Sequence, residues 1–91
     1  MSVEKIKIEK EVNKKLSRRA SARKFFNDLD KSFTDIVFDF EKVEFISRFA
    51  QKYIYQKHNI GVNLTEKNMN NFVENMLNIV ERDYTETFGE L

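Results

Sequence analysis

The sequence predicts an α/β fold, a two-layer sandwich in which a small, mainly parallel sheet of three to four strands carries three amphipathic helices. Three observations point to it. Apolar residues switch between a spacing of two and a spacing of three to four, in the order strand, helix, strand, helix, strand, helix. The flanking strand segments have one apolar face each: Lys5 and Lys7 alternate with Ile6 and Ile8, and Gly61 and Asn63 with Ile60, Val62 and Leu64. A sheet covered on both sides calls for near-continuous apolar strands, so helices on one face are expected. Finally, the chain has no Pro and two isolated glycines, Gly61 and Gly89, so nothing marks a linker.

Each element follows from local spacing. Ile6, Ile8 and Val12 at even intervals predict a basic first strand within residues 1–15. Ala22, Phe25, Phe26 and Leu29 form the stripe of a first helix, with Ser17 as its N-cap. Asp35 to Phe40, β-branched and aromatic, reads as the central strand, ending near Glu41-Lys42. Ile46, Phe49, Ala50, Tyr53 and Ile54 make the second helical stripe, with Ser47 at its start and Asn59 and Gly61 after its end. Ile60, Val62 and Leu64 give a short third strand. Met69, Phe72, Val73, Met76, Leu77 and Val80 make the third helix, which starts within Thr65-Glu66-Lys67-Asn68 and frays near Tyr84. A fourth strand is open at Val43 to Ile46, or as a hairpin in the N-terminus. The 91 residues read as a single domain, with the basic strand at 1–15, the core at 16–80 and an acidic tail at 81–91.

Composition removes several classes of function. Cysteine is absent and His58 is the single histidine, which excludes disulfides, thiolate chemistry and most zinc sites. The cysteine-free composition fits a cytoplasmic location. The longest clean apolar run, Ile36-Val37-Phe38, is far short of the roughly 20 residues of a membrane span, so no membrane role is expected. No Gly-rich phosphate loop, Gly-flanked nucleophile or paired metal-ligand spacing occurs, and the chain reads as a non-enzyme with no catalytic residue, metal or cofactor. His58 follows a helical stripe, where a cation at the helix C-terminus is expected. Asp28 with Asp30, and Asp39 with Glu41 and Glu44, read as surface or turn carboxylates.

The net charge of +1 hides an asymmetry. Residues 1–24 hold nine Lys and Arg against three Glu, a balance of +6, which leaves −5 for the remainder. In a parallel strand–helix arrangement the helix starts gather on one sheet edge. Here those starts carry Ser17-Arg18-Arg19, Ser47-Arg48 and Lys67, a pattern suited to an anion or a partner's carboxylates. The segment Lys14 to Lys24 could instead grip a phosphate backbone, although it lacks interleaved aromatics for base stacking. Within it, Arg18-Arg19-Ala20-Ser21 is similar to a basic-directed kinase site.

A family resemblance rests on Leu16 to Ile79: Leu16-Ser17-Arg18-Arg19-Ala20 before a helix, then Ile36-Val37-Phe38-Asp39-Phe40-Glu41-Lys42-Val43-Glu44-Phe45-Ile46, a helix ending in Lys57-His58, Val62-Asn63-Leu64 and an Asn-rich third helix. This pattern resembles the STAS-like domain family of unknown function. Its broader relatives are STAS domains, including bacterial anti-sigma factor antagonists, small binding modules without an active site. The resemblance implies docking on a histidine-kinase-type ATPase through the helix start after the central strand. It sets Ser47 at the position of an Asp and Arg48 at that of the Ser the kinase phosphorylates, so the switch residue is missing. The resulting expectation is a regulatory or scaffolding module that binds a protein partner through Ser17, Arg18, Arg19, Ser47, Arg48, Phe49, Gln51 and Lys67. The alternative is nucleic-acid binding through Lys14 to Lys24. A free sheet edge and face leave a second copy of the chain open as a partner as well.

Overall fold

The computed structural model describes residues 3–30 and 32–88; residues 1–2 of the expected first strand and 89–91 of the expected tail, with Gly89, lie outside the described residues. Strands β1 (Val3–Lys7), β3 (Asp35–Asp39) and β5 (Asn63–Lys67) form a parallel sheet in the order β1-β3-β5. Its register sets Ile6 beside Phe38 and Phe38 beside Glu66, with Lys7, Asp39 and Lys67 closing the carboxyl edge. Both crossovers step in the same direction, and right-handed crossovers then lay their helices on one face. Those helices are α2 (Arg19–Asn27) and α3 (Phe49–Asn59), which pack together, with α4 (Asn71–Phe88) against α3. The α/β two-layer arrangement with a parallel sheet is the one the alternating spacing predicts.

Aromatic packing joins the layers. Ile36 and Phe38 are fully buried on the helix side of β3. Around Phe38 lie Phe25 at 5.2 Å and Phe26 at 5.9 Å, both edge-on, and Tyr53 at 6.0 Å. Such pairs each add about 0.5–1.5 kcal/mol to the burial itself. The opposite face of the sheet carries Lys5, Lys7, Asn63, Thr65 and Lys67, all exposed, with Val37 half-buried in the centre. One apolar face per flanking strand therefore becomes one helix-covered face.

Several boundaries differ from those read by spacing. The basic strand expected over 1–15 is three pieces: β1, the helical turn α1 (Ile8–Glu11) and β2 (Lys15–Leu16). β1 ends where its partner does, because Phe40 to Val43 makes a turn with Lys42 at φ 70°, leaving Ile8 nothing to pair with. Ile8 is buried from a helical turn closed by the Val12 N–H on its carbonyl at 2.8 Å. β2 then pairs in parallel with β4 (Phe45–Ile46), a second small sheet in place of a hairpin.

The third helix begins later than expected. Thr65 to Lys67 stays in β5, because pairing along all five residues of β3 outweighs the local helix-start signal. Asn68 leaves the strand at φ 62°. Asn70 then caps α4, its Oδ1 accepting the Val73 N–H at 2.8 Å while its amide donates to the Val43 carbonyl at 3.0 Å. α4 runs through Tyr84 to Phe88 without stopping at the expected fray. α3 takes in Asn59, which the spacing sets after its end, and Gly61 follows the Ile60 cap at φ 76°, a left-handed conformation that glycine adopts without strain.

Candidate functional site

The small β2–β4 ladder sets two helix starts side by side. Leu16 stands opposite Ile46, both fully buried, and the Ser47 N–H donates to the Leu16 carbonyl at 2.9 Å. One residue further, the Ser47 hydroxyl reaches the Ser17 carbonyl at 3.4 Å. Ser17 and Ser47 are therefore not the N-caps that the sequence suggests. Those positions fall to Arg18, extended at φ −109° and ψ 136°, and Arg48, neither of which offers a side-chain cap. Ser47 through its N–H and hydroxyl, and Ser17 through its carbonyl, carry the ladder one residue past each strand.

A cationic edge results. An α-helix start exposes unpaired N–H groups and the positive end of its dipole, which acidic residues ordinarily neutralise. Neither α2 nor α3 has an acidic residue in its first turn, and Arg18 and Arg48 are exposed at the two starts. The helices are tied by Arg19, whose Nε and Nη2 donate to Gln51 Oε1 at 3.0 and 2.6 Å. Gln51 also borders a groove of 260 Å³ between α3 and α4, walled by Tyr55 and Tyr84.

Six of the eight residues singled out thus gather at this edge in solvent reach: Ser17, Arg18, Arg19, Ser47, Arg48 and Gln51. Phe49 does not join them, since it is fully buried and stacks on Tyr53 at 6.0 Å. Its place in the helical stripe is a core position. Lys67 is the last residue of β5 rather than a helix start, and stands opposite Asp39 on the uncovered sheet face.

The carboxylate groups are absorbed by turns. Asp39 is 3 % exposed and accepts the Asn68 amide at 3.0 Å and the Glu41 N–H at 2.9 Å. The Asn68 amide, then the Glu41 N–H, hold its carboxyl below the usual carboxylate range against the cost of burial, with Lys5 and Lys7 adding to the effect. Asp28 pairs with Lys24 at 3.0 Å, and Asp30 accepts both the N–H and the hydroxyl of Ser32. Among the described residues no three His, Cys, Asp or Glu side chains converge as metal ligands. His58 sits in the last turn of α3, as foreseen, and ties it to α4, with Nε2 2.6 Å from Glu81 Oε2 and its ring stacked on Tyr84 at 4.4 Å.

Two features escape sequence reading. Glu66, on the helix side of β5, accepts a hydrogen bond from the Tyr53 hydroxyl and pairs with Lys57 at 3.0 Å. Burial, followed by the Glu66 charge, pushes the Tyr53 phenol well above its usual range. Phe45 and Phe72 stack at 5.5 Å and remain 39 % and 47 % exposed. They are far apart in sequence, and only the Phe45–Lys15 register brings this pair beside the basic segment.

Comparison of the chain with protein-family models, curated proteins and solved structures finds no match. Among the described residues no helix is long and apolar enough to cross a membrane.

Proposed function

We propose that the chain is a non-enzymatic STAS-like module that regulates or scaffolds a protein partner by docking the partner's carboxylates on the edge formed by the starts of α2 and α3. The observation that carries this reading is the placement of Arg18 and Arg48 at two adjoining helix starts that lack capping side chains and first-turn acids. Arginine at a helix start opposes the dipole by about 0.3–1 kcal/mol, a local cost that a bound anion reverses. A histidine-kinase-type ATPase is the partner that the family resemblance implies. Arg48 stands where the antagonists carry their phosphorylated Ser, so phosphorylation at that position is not the means of release. Affinity capture with the wild-type chain should recover one stoichiometric protein that the Arg18→Glu/Arg48→Glu chain releases. Undiminished capture by the double variant would count against the docking edge.

A second reading, nucleic-acid binding through Lys14 to Lys24, is favoured by the Phe45–Phe72 stack beside Lys15, since exposed aromatic rings next to lysines suit unpaired bases. Anisotropy with a labelled oligothymidine would then show affinity falling steeply with salt and abolished in Phe72→Ala. A flat salt response removes this reading.

A further inference from the structure

A cleft of 440 Å³ lies between β1 and α2, on the helix side of the sheet's first edge. Its volume falls within the range of about 300–1,000 Å³ typical of small-molecule sites. Ile6, Val12 and Leu29 present half-buried apolar surface to it, with Phe25 behind them. Among the described residues four carboxylates and one lysine are the ionisable groups along its walls, and together they carry three net negative charges.

Those charges are not all committed. Asp28 is neutralised by Lys24 at 3.0 Å, and Asp30 is engaged by Ser32. Among the described residues Glu4 and Glu11 have no ion-pair or hydrogen-bond partner for their carboxylates, although Glu4 is half-buried. A half-buried carboxylate beside apolar surface is stabilised by an incoming cation that brings its own apolar body to cover that surface. A bare metal ion fits poorly, because the floor is apolar and no three ligand side chains converge among the described residues.

We propose that this cleft binds a free amphipathic organic cation, an ammonium or guanidinium group on an apolar body, with the charge at Glu4 and Glu11 and the body on Ile6, Val12 and Leu29. A basic peptide strand added along the edge of β1 is disfavoured, since Lys5 and Lys7 line that strand and repel a basic chain laid beside it. The proposal is independent of the helix-start edge.

Titration of the full chain with phenethylamine, 2-phenylethanol and phenylacetate, three probes of one shape and different charge, followed by amide chemical shifts, tests it. The amine should move the amides of residues 4–6, 11–12 and 25–29 and bind more tightly than the neutral alcohol, with phenylacetate weakest. Glu4→Gln and Glu11→Gln should each weaken the amine roughly two- to fivefold, the range expected for one exposed ion pair, without changing the alcohol. Equal binding of all three probes, or amine shifts mapping elsewhere, overturns the proposal. So does an alternating lysine–valine hexapeptide that binds at β1 where phenethylamine does not. Shifts at these residues on dilution without any probe make a second copy the occupant and overturn it equally.

Discussion

At Asp39 a charged side chain is nearly sealed from solvent and still ionised, because two N–H donors, the Asn68 amide and the Glu41 backbone, converge on one of its oxygens. Its folded-state pKa lies below the unfolded value of about 3.9. The stability it contributes is therefore complete above that value and is lost as the pH falls through the folded-state pKa. Urea unfolding of Asp39→Asn should show a loss of about 0.5–1.5 kcal/mol at pH 7, and a smaller drop than wild type between pH 7 and pH 3. Tyr53 has the opposite sign. Its phenol is held neutral by burial and by Glu66, so its folded-state pKa is raised. The stability it contributes is whole below an unfolded value of about 10 and is lost as the pH rises through the folded-state pKa. Tyr53→Phe should lower stability at pH 7 by about 1–3 kcal/mol, the cost of a hydrogen bond to a charged acceptor, and flatten the alkaline unfolding curve. Neither environment is legible from spacing, because Asn68 lies 29 residues from Asp39 and Glu66 lies 13 from Tyr53.

Elements divide according to what set their ends. The interiors of α2, α3 and β3 were legible because burial on one face imposes a period, and Ala22, Phe25, Phe26, Ile36, Phe38 and Tyr53 keep it. Their ends depended on pairing. Thr65 to Lys67 has the local composition of a helix start and becomes strand because β3 supplies a partner. Ser17 and Ser47 have the composition of N-caps and instead serve the β2–β4 ladder. The cap that does form, at Asn70, was hidden in an Asn-rich run. Asn70→Ala should cost about 0.5–2 kcal/mol in thermal or urea unfolding, whereas Asn71→Ala should cost far less. At the two arginine-led starts the expectation reverses. Arg48→Glu should stabilise the isolated chain by about 0.3–1 kcal/mol, since it replaces a cation with an anion at the N-cap, beside the positive end of the α3 dipole, even as it weakens partner binding. A variant that gains stability as it loses binding separates a docking role from a structural one.

For the whole molecule, one-faced strands and a single direction of crossover give a two-layer body whose charge is sorted by position. The +6 of residues 1–24 is not one continuous patch, since Lys5 and Lys7 lie on the uncovered sheet face, Lys15 on the small ladder and Arg18 and Arg19 at the α2 start. The portion of the candidate site that sequence could reach is the part built by chain order, the two helix starts. Phe49 and Lys67 were misplaced because a helical stripe does not separate core from rim and a strand end resembles a helix start. Under the proposed function the α2 and α3 starts form one docking edge for an acidic protein surface. Hydrogen-exchange footprinting of the captured complex separates that edge from the other surfaces of the chain. The amides of residues 18–22 and 48–52 should be protected together, with α4 beyond residue 75 unchanged; protection confined to α4 or to the open sheet face, with both helix starts exchanging as in the free chain, would rule the docking edge out.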